Sequence, residues 1–259
     1  METISLERDG DVLVATIDHP SSPVNAVDAV LHRDLGELFS TLQRERSARA
    51  VLLTGAGKAF SAGGDMDWLP QLRSVEAVHD LRKDGRQLIW DLLDVEIPIV
   101  CGLNGSAAGL GASVALLCDV VVMSERAVIV DPHVTVGLVA GDGGAAIWPL
   151  LVGPLAAKRY LLLGEPLTAE AALAAGVAAE VCAPDDVGGR AMVWARRLAA
   201  AAPLAVQGTK TAINAQIRQA MLTSFDLSTA LEIPCMLSAD HVEAVDAYVA
   251  KRTPRFEGR

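Results

Sequence analysis

Two short segments rich in small residues could place backbone N–H groups beside a ligand. Residues 58–65 (KAFSAGGD) come directly after a predicted strand, and residues 104–112 (NGSAAGLGA) follow a second strand and open a predicted helix. Small residues let the backbone approach a bound molecule, and the first turn of a helix has N–H groups without intrahelical partners. Two such loops at neighbouring strand ends could direct two donors at one oxyanion, which stabilises an enolate by a few kcal/mol.

Three other glycine patterns fail on inspection of their spacing. Residues 55–58 (GAGK) lack the spacing of a phosphate-binding P-loop, and residues 109–114 lack the third glycine of a dinucleotide-binding turn. Asn104 stands where the nucleophile elbow of a hydrolase would need its first glycine before Ser106. The sequence therefore does not indicate a nucleotide site or a serine nucleophile at these positions.

The elements that must hold the two segments alternate between strands and helices. A hairpin is predicted at residues 4–17, with its turn at Asp9-Gly10. Further along the chain, buried strands are predicted at 50–54, 99–103 and 120–123, and helices at 27–42, 75–93 and 107–117. After about residue 155, alanine-rich helical patterns continue to residue 250. The predicted fold is an α/β core with parallel crossovers, followed by a helical C-terminal part.

Composition excludes several classes of protein. The 259 residues carry a formal net charge of −10 and a sequence pI of about 4.9, so nucleic acid and anionic membrane surfaces are unfavourable partners. The four cysteines form no C-x-x-C pair, which disfavours a structural metal or disulfide framework. The N-terminus lacks the apolar segment of a signal peptide, and no uninterrupted apolar stretch of about 18 residues is evident. We expect a cytoplasmic protein.

The two small-residue segments and five further features follow one another in the order found in the crotonase (enoyl-CoA hydratase/isomerase) superfamily, which the chain therefore resembles. The two small-residue segments look like the superfamily's two oxyanion segments. Five further features fall in register with the same pattern, namely Asp119, residues 131–137, Gly143-Gly144, residues 163–177 and residues 248–252. The resemblance implies a crotonase-like spiral of ββα turns over residues 1–200 and a helical oligomerisation region over 201–259. It also implies a homotrimer or homohexamer.

The same resemblance assigns roles to individual residues. The oxyanion donors would be the backbone N–H groups of Gly64 and Leu110, although Leu110 stands where glycine is usual. The groove for coenzyme A (CoA) and its pantetheine arm would be lined by Val24, Ala26, Ala62, Asp65 and Met66. Asp65 would also hold its own loop. Lys58 and Lys251 could meet the CoA phosphates or be ordinary surface charges. No metal and no cofactor is implied, since CoA is part of the substrate.

The chain departs from the hydratase pattern at its acid–base residues. The two positions that match the water-activating glutamates of a hydratase are Ser113 and His133. Because a serine is no carboxylate base at neutral pH, we expect ordinary enoyl-CoA hydration to be weak. His133 could shuttle a proton, or be a packed or exposed histidine. Asp142 could be a base or the partner of His133, or only the N-cap of the following helix.

Several functions stay open on these grounds. Enolate chemistry on an acyl-CoA could end in isomerisation, decarboxylation or hydrolytic cleavage of a C–C bond as well as in hydration. A non-catalytic acyl-CoA-binding subunit is the rival from another class, favoured by the loss of both glutamates. The polar pair His133 and Asp142 argues against that rival. A serine hydrolase is a weaker one, because no Ser-His-Asp order is identifiable.

Overall fold

The computed structural model describes residues 1–72 and 74–259, and within them strands and helices alternate before a helical C-terminal part. The strands are β1 (Ile4–Asp9), β2 (Val12–Ile17), β3 (Ala26–Val27), β4 (Ala50–Gly55), β5 (Ala59–Ser61), β6 (Gly63–Gly64), β7 (Ile99–Leu103), β8 (Ser106–Ala108), β9 (Val120–Ser124), β10 (Val128–Val130), β11 (Leu167–Thr168) and β12 (Glu180–Cys182). The α-helices are α1 (Ala29–Arg44), α2 (Val75–Asp94), α3 (Leu110–Leu116), α4 (Gly144–Leu163), α5 (Ala169–Ala174), α6 (Val187–Ala199), α7 (Pro203–Met236) and α8 (Ala239–Val249). Short 3-10 turns lie at Leu69–Gln71, His133–Val136 and Pro184–Asp186.

The strands form three sheets. A six-stranded sheet has the order β1-β2-β4-β7-β9-β12, a four-stranded sheet has the order β11-β10-β8-β5, and β3 pairs with β6. In the large sheet the β1–β2 hairpin is antiparallel and all other neighbours are parallel. Parallel neighbours require crossover connections, which the helices supply. The mixed α/β class with a helical C-terminal region is therefore as predicted.

The core follows from apolar strands covered by amphipathic helices. Strand β7 is buried at every residue, as expected for a parallel strand with both faces covered. Helix α1 begins where the Asp28 side chain accepts hydrogen bonds from the N–H groups of Val30 and Leu31. Its apolar residues at helical spacing are all buried, namely Leu31, Leu35, Leu38, Phe39 and Leu42.

The predicted helix at residues 107–117 needs a correction. Ser106–Ala108 is a strand that pairs in parallel with β5 and β10, and the helix begins only at Leu110. Between them Gly109 has φ +49°, a conformation that ends the strand and that side chains rarely adopt. Short apolar segments of this kind fit either element by periodicity, and pairing with two neighbouring strands decides it here.

The long helix α7 lies antiparallel to α2 and is tied to the core at both ends of that contact. The Arg86 guanidinium donates to the two carboxylate oxygens of Asp226 at 2.6 and 3.2 Å, and Arg218 pairs with Asp94. Lys210 Nζ, buried, donates to Asp119 at 2.7 Å. These bonds hold α7 beside α2 and against the core. The boundary predicted at residue 200 falls between α6 and α7, and its meaning as a domain border stays a prediction.

Among the described residues, helix α4 is long and apolar enough to span a membrane by length and composition alone. Its apolar sequence is interrupted by Lys158 and Arg159, so the expectation that no uninterrupted apolar stretch of about 18 residues exists is not contradicted. The helix is broken at Gly153, whose φ of 78° and ψ of 157° are not helical. On either side of the break, Ile147, Trp148 and Tyr160 are buried in the main core. These are the contacts of a helix packed on the protein.

Candidate active site

One cavity of about 610 Å³ brings most of the predicted site residues together. Nine of them line it, namely Val24, Ala26, Ala62, Gly64, Asp65, Met66, Leu110, His133 and Asp142. Its further walls come from α2, α7 and the end of α8. Lys58 and Lys251 are exposed and lie outside this lining, so their contact with CoA stays a prediction. Trp68 lines the cavity, whereas Trp148 is buried against Tyr160 in the core.

The two small-residue segments meet at one side of the cavity, and we call residues 62–65 and 108–111 the glycine loops. Gly63 has φ +78°, and a Cβ on it would lie 2.8 Å from the carbonyl oxygen of Ala108. A Cβ on Gly111 would lie 2.6 Å from the Cβ of Ser61. The backbones of the two loops therefore touch at Gly63 and Ala108, while Gly111 packs against the side chain of Ser61, and both positions require glycine. Leu110 is the first residue of α3, so its N–H has no intrahelical acceptor.

Asp65 holds the first of these loops in place. Its Oδ1 accepts hydrogen bonds from the N–H groups of Asp67 at 2.7 Å and of Trp68 at 3.0 Å. Its own N–H donates to the carbonyl of Val27, which continues the pairing with β3. This is the bonding of a loop-stabilising aspartate, and it keeps the chain after Gly64 turning into the 3-10 segment Leu69–Gln71.

His133 opens a 3-10 turn directly after β10 and is held by the aspartate two residues before it. Asp131 Oδ1 accepts from the backbone N–H of His133 at 3.2 Å and lies 2.6 Å from its Nδ1. The opposite ring nitrogen, Nε2, faces two more carboxylates: it is 3.5 Å from Asp142 Oδ2 and 3.8 Å from Glu232 Oε1. We call Asp131, His133, Asp142 and Glu232 the His133 cluster. The histidine is thus part of an acid–base network, 13% exposed in its side chain.

Asp142 precedes α4, and its carboxylate faces the cavity. Ser113 donates its hydroxyl to Asp142 Oδ1 at 3.3 Å, while Oδ2 lies toward His133. Ser113 itself is 1% exposed and lies behind Asp142, outside the cavity lining. Its position therefore suits holding Asp142 in place. The glycine loops lie next to this pair, since a Cβ on Gly109 would be 3.6 Å from His133 Cε1 and 3.7 Å from Asp142 Oδ2.

Glu232 is a site residue that the sequence analysis missed. It lies on α7, 99 residues after His133 in the chain, and its side chain is 16% exposed. A Cβ on Gly141 would collide with its carboxylate, so the glycine before Asp142 makes room for it. The sequence did contain a signal for Glu232. It shares one face of the helix with Phe225, Thr229, Ile233 and Met236, which all line the cavity, and it is the acidic residue among them.

Burial and mutual attraction set the proton affinities of the His133 cluster. Burial alone would lower the pKa of His133, but Asp142, Asp131 and Glu232 together hold it well above its ordinary value. Burial raises the pKa of Asp142, and it raises the pKa of Glu232 to about 8. For Asp131, burial acts in the same direction but is outweighed by His133, which lowers the pKa of that carboxyl. At neutral pH the cluster therefore holds an imidazolium and a protonated Glu232.

Asp131, His133 and Asp142 also form a set of the kind that can bind a metal ion, with potential ligand atoms within 4.8 Å of one another. The closest two, Asp131 Oδ1 and His133 Nδ1, are 2.6 Å apart. Two atoms that each lie about 2.0–2.2 Å from one ion are separated by roughly 3 Å or more. In this arrangement the two atoms share a proton, and His133 presents only Nε2 to the cavity.

Comparisons with known proteins agree with this geometry. A family model described as enoyl-CoA hydratase/isomerase matches residues 7–259. The chain is 30% identical to the 1,2-epoxyphenylacetyl-CoA isomerase of Escherichia coli K12, over 100% of both chains. The crystal structure of an enoyl-CoA hydratase/isomerase from Mycobacterium paratuberculosis has a TM-score of 0.90 and 36% identity, covering 95% of this chain and 98% of that one.

A second solved structure has a different activity in its description. It is a β-diketone hydrolase from the cyanobacterium Anabaena, bound to (S)-3-oxocyclohexyl acetic acid. Its TM-score is 0.85 at 28% identity, with 91% of this chain and 94% of that chain covered. One fold in this group of similar proteins thus carries isomerase, hydratase and hydrolase descriptions, so the reaction has to be argued from the site.

Proposed function

The chain belongs to the enoyl-CoA hydratase/isomerase family, and from this premise we propose that it forms and reprotonates the enolate of an acyl-CoA thioester. The observation that carries the proposal is the position of His133 Nε2, between Asp142 and Glu232 and next to the glycine loops. Proton-transferring side chains and backbone donors for an oxyanion thereby share one cavity. The reaction type that this arrangement suits best is isomerisation, the transfer of a proton between two carbons of the acyl chain.

The glycine loops would hold the thioester carbonyl. In the proposed complex the N–H groups of Gly64 and Leu110 donate to the carbonyl oxygen, which becomes negative when the enolate forms. Donors fixed in a buried site are worth more than donors in water, because they need no reorganisation as charge develops. The side chain of Leu110 does not prevent this role, since the donor is its backbone.

The His133 cluster would move the proton. Asp142, as a carboxylate, takes a proton from the carbon next to the carbonyl, and the C–H electron pair becomes the enolate. Protonated Glu232 then gives its proton to the γ-carbon, which shifts the double bond. His133 gives its Nε2 proton to Glu232 and receives the one on Asp142, so every group returns to its starting state. The raised pKa of Asp142 makes its carboxylate a stronger base, and a pKa of about 8 keeps Glu232 protonated at neutral pH.

A panel of thioesters tests the proposal. Enoyl-CoA, 3-oxoacyl-CoA and malonyl-type CoA esters would be incubated with the protein, and the products followed by mass spectrometry and NMR. We expect β,γ-enoyl-CoA to convert to its α,β isomer without change in mass. Loss of CO₂ from malonyl-type esters, or cleavage of 3-oxoacyl esters, with no isomerisation would contradict this assignment and replace it with decarboxylation or hydrolysis.

Hydrolytic cleavage of a C–C bond is the second candidate, favoured by the His133–Asp131 pair and by the similarity to the β-diketone hydrolase. Here water would lose a proton to the cluster and add to one carbonyl of a 1,3-dicarbonyl substrate. The C–C bond then breaks, its electron pair forms an enolate at the second carbonyl, and that enolate takes up a proton. The same backbone donors would stabilise it.

We further propose that the protein is a homotrimer or homohexamer. Helices α4 and α7 carry exposed leucines that would be covered in an assembly, namely Leu150, Leu151, Leu155, Leu162, Leu163, Leu222, Leu227 and Leu231. Exposed leucines are unfavourable in water, and those that cluster on a surface commonly mark an interface. Light scattering after size-exclusion chromatography tests this, and a monomer at micromolar concentration would contradict it.

A further inference from the structure

Two arginines one turn apart on α2, Arg82 and Arg86, line the cavity but differ in their partners. Arg86 is fixed by Asp226, with nitrogen–oxygen distances of 2.6 and 3.2 Å. Its guanidinium also stacks over the ring of Trp90, 5.3 Å from the centroid. Both its charge and its orientation are therefore accounted for within the protein.

Arg82 has no hydrogen-bonded partner among the described residues, although its charge acts on Asp226 and, together with the hydrogen bonds from Arg86, helps to lower the pKa of that carboxyl. It forms no ion pair within 4.0 Å, and its Nε is buried without a hydrogen-bond acceptor. A buried donor without an acceptor is unfavourable, and more so when it is charged, so buried polar groups in native proteins are nearly always paired. The unpaired Nε of Arg82, in the wall of a cavity, is a donor that a ligand can satisfy.

The position of Arg82 in the cavity indicates which part of a ligand would meet it. Helices α2 and α7 are antiparallel, and Arg86 on α2 lies opposite Asp226 on α7. Arg82 is one helical turn before Arg86, so it lies level with about residue 230 of α7. That level is next to Thr229 and close to Glu232, across the cavity from α2. Apolar lining surrounds it, contributed by Val78, Leu81, Phe225 and Ile233.

This end of the cavity differs from the groove proposed for CoA. That groove is built by β3 and the glycine loops, through Val24, Ala26, Ala62, Asp65 and Met66. Arg82 lies on the wall made by α2 and α7. A thioester held at the glycine loops would therefore send its CoA part along one wall and its acyl group toward Arg82.

We propose that the acyl group of the substrate ends in a carboxylate and that Arg82 binds it. The inference rests on the proposed function, since it takes the thioester to lie at the glycine loops. A guanidinium offers a planar fork of donors that matches a carboxylate, and charge-assisted pairs are stronger than neutral hydrogen bonds. An acyl group ending in methyl would leave the buried donor unpaired, so Arg82 selects against it.

Matched pairs of saturated acyl-CoA esters test this, each pair equal in chain length and ending in either methyl or carboxylate. Dissociation constants would be measured by calorimetry for the wild type, Arg82→Gln and Lys83→Gln. The last variant removes the same charge from the next, exposed residue of α2. At the best-fitting chain length, we expect the wild type and Lys83→Gln to bind the ester that ends in carboxylate at least about tenfold more tightly than the ester that ends in methyl. Arg82→Gln should lose this preference and stay as stable as the wild type.

Other results would overturn the inference. Equal affinity of the wild type for both members of every pair would remove the carboxylate site and leave the proposed function standing. An equal loss for both members in Arg82→Gln would assign Arg82 to a CoA phosphate. If no thioester binds, the proposed function fails. The carboxylate site would then be tested separately, by measuring whether free alkanoate ions stabilise the wild type and Arg82→Gln against unfolding. Stabilisation of the wild type but not of Arg82→Gln by those ions would retain the carboxylate site, and no stabilisation would end it.

Discussion

The glycine loops and the His133 cluster are two sides of one cavity that are built in opposite ways. The loops are backbone structures, each formed by a few consecutive small residues that touch through Gly63 and Ala108. The cluster is made of side chains from three separate segments, residues 131–133, Asp142 and the distant Glu232. A site made of backbone leaves a compact signal in the sequence, whereas a site made of side chains depends on the packing of whole helices.

The comparison predicts that the protein keeps enolate stabilisation but lacks ordinary hydration. By the sequence resemblance, Ser113 and His133 match the positions of the two hydratase glutamates. Each positioned acid or base contributes about 10²–10⁴-fold to a rate. Crotonyl-CoA hydration, measured by loss of enoyl absorbance, should be several orders of magnitude slower than in an efficient hydratase. Turnover in the ordinary hydratase range would mean that the cluster can activate water as a pair of glutamates does.

A change confined to the glycine loops should abolish the chemistry while the cluster remains intact. In Gly63→Ala the new Cβ would be 2.8 Å from the Ala108 carbonyl oxygen, at a φ of +78°. The two loops would move apart, and loss of one oxyanion donor costs about 10²–10³-fold in kcat. Gly188→Ala on α6, where a Cβ meets nothing within 4 Å, is the control and should keep wild-type turnover. Equal activity of both variants would show that the donors lie elsewhere.

A change confined to the cluster should lower kcat and leave CoA binding nearly unchanged. Asp142→Asn keeps the size of the side chain and removes the base, so kcat should fall by at least about 10² at similar thioester affinity. Asp80→Asn, an exposed aspartate on α2, is the charge-matched control. If Asp142→Asn retained activity within a few-fold, Asp142 would be a structural residue at the start of α4.

The smallest expected effect is on the pH dependence of stability. The pKa of Glu232 is raised from 4.5 to about 8, so between these pH values folding takes up a proton at this residue. Its contribution to stability is present below about pH 4.5 and is lost as the pH rises through about 8. In Glu232→Gln that contribution is removed. Between pH 5 and 8 the free energy of unfolding of the variant should therefore fall less steeply than that of the wild type, with a difference in slope of up to about 1 kcal/mol per pH unit. Parallel curves for variant and wild type, by urea titration, would contradict burial of a protonated Glu232.

The sequence predicted the fold class and the part of the cavity lining that the glycine loops and their neighbours form, because both depend on local patterns. Buried strands, amphipathic helices and consecutive small residues can be recognised without knowing what they pack against. Ala107 and Ala108 were wrongly assigned to a helix, since only pairing with β5 and β10 makes them part of a strand. Glu232 and Arg82 were missed because their significance comes from α7 lying beside α2. That antiparallel contact is fixed by long-range pairs such as Arg86–Asp226.

Exchange of the proton next to the thioester carbonyl tests enolate formation itself, because it requires no knowledge of the true substrate. A saturated acyl-CoA would be incubated with the protein in D₂O, and deuterium at that carbon followed by NMR and mass spectrometry. We expect exchange catalysed by the wild type, reduced at least about 10²-fold in Asp142→Asn and in Gly63→Ala. A wild type that binds the thioester without catalysing exchange would contradict this expectation, and would identify the protein as an acyl-CoA-binding subunit.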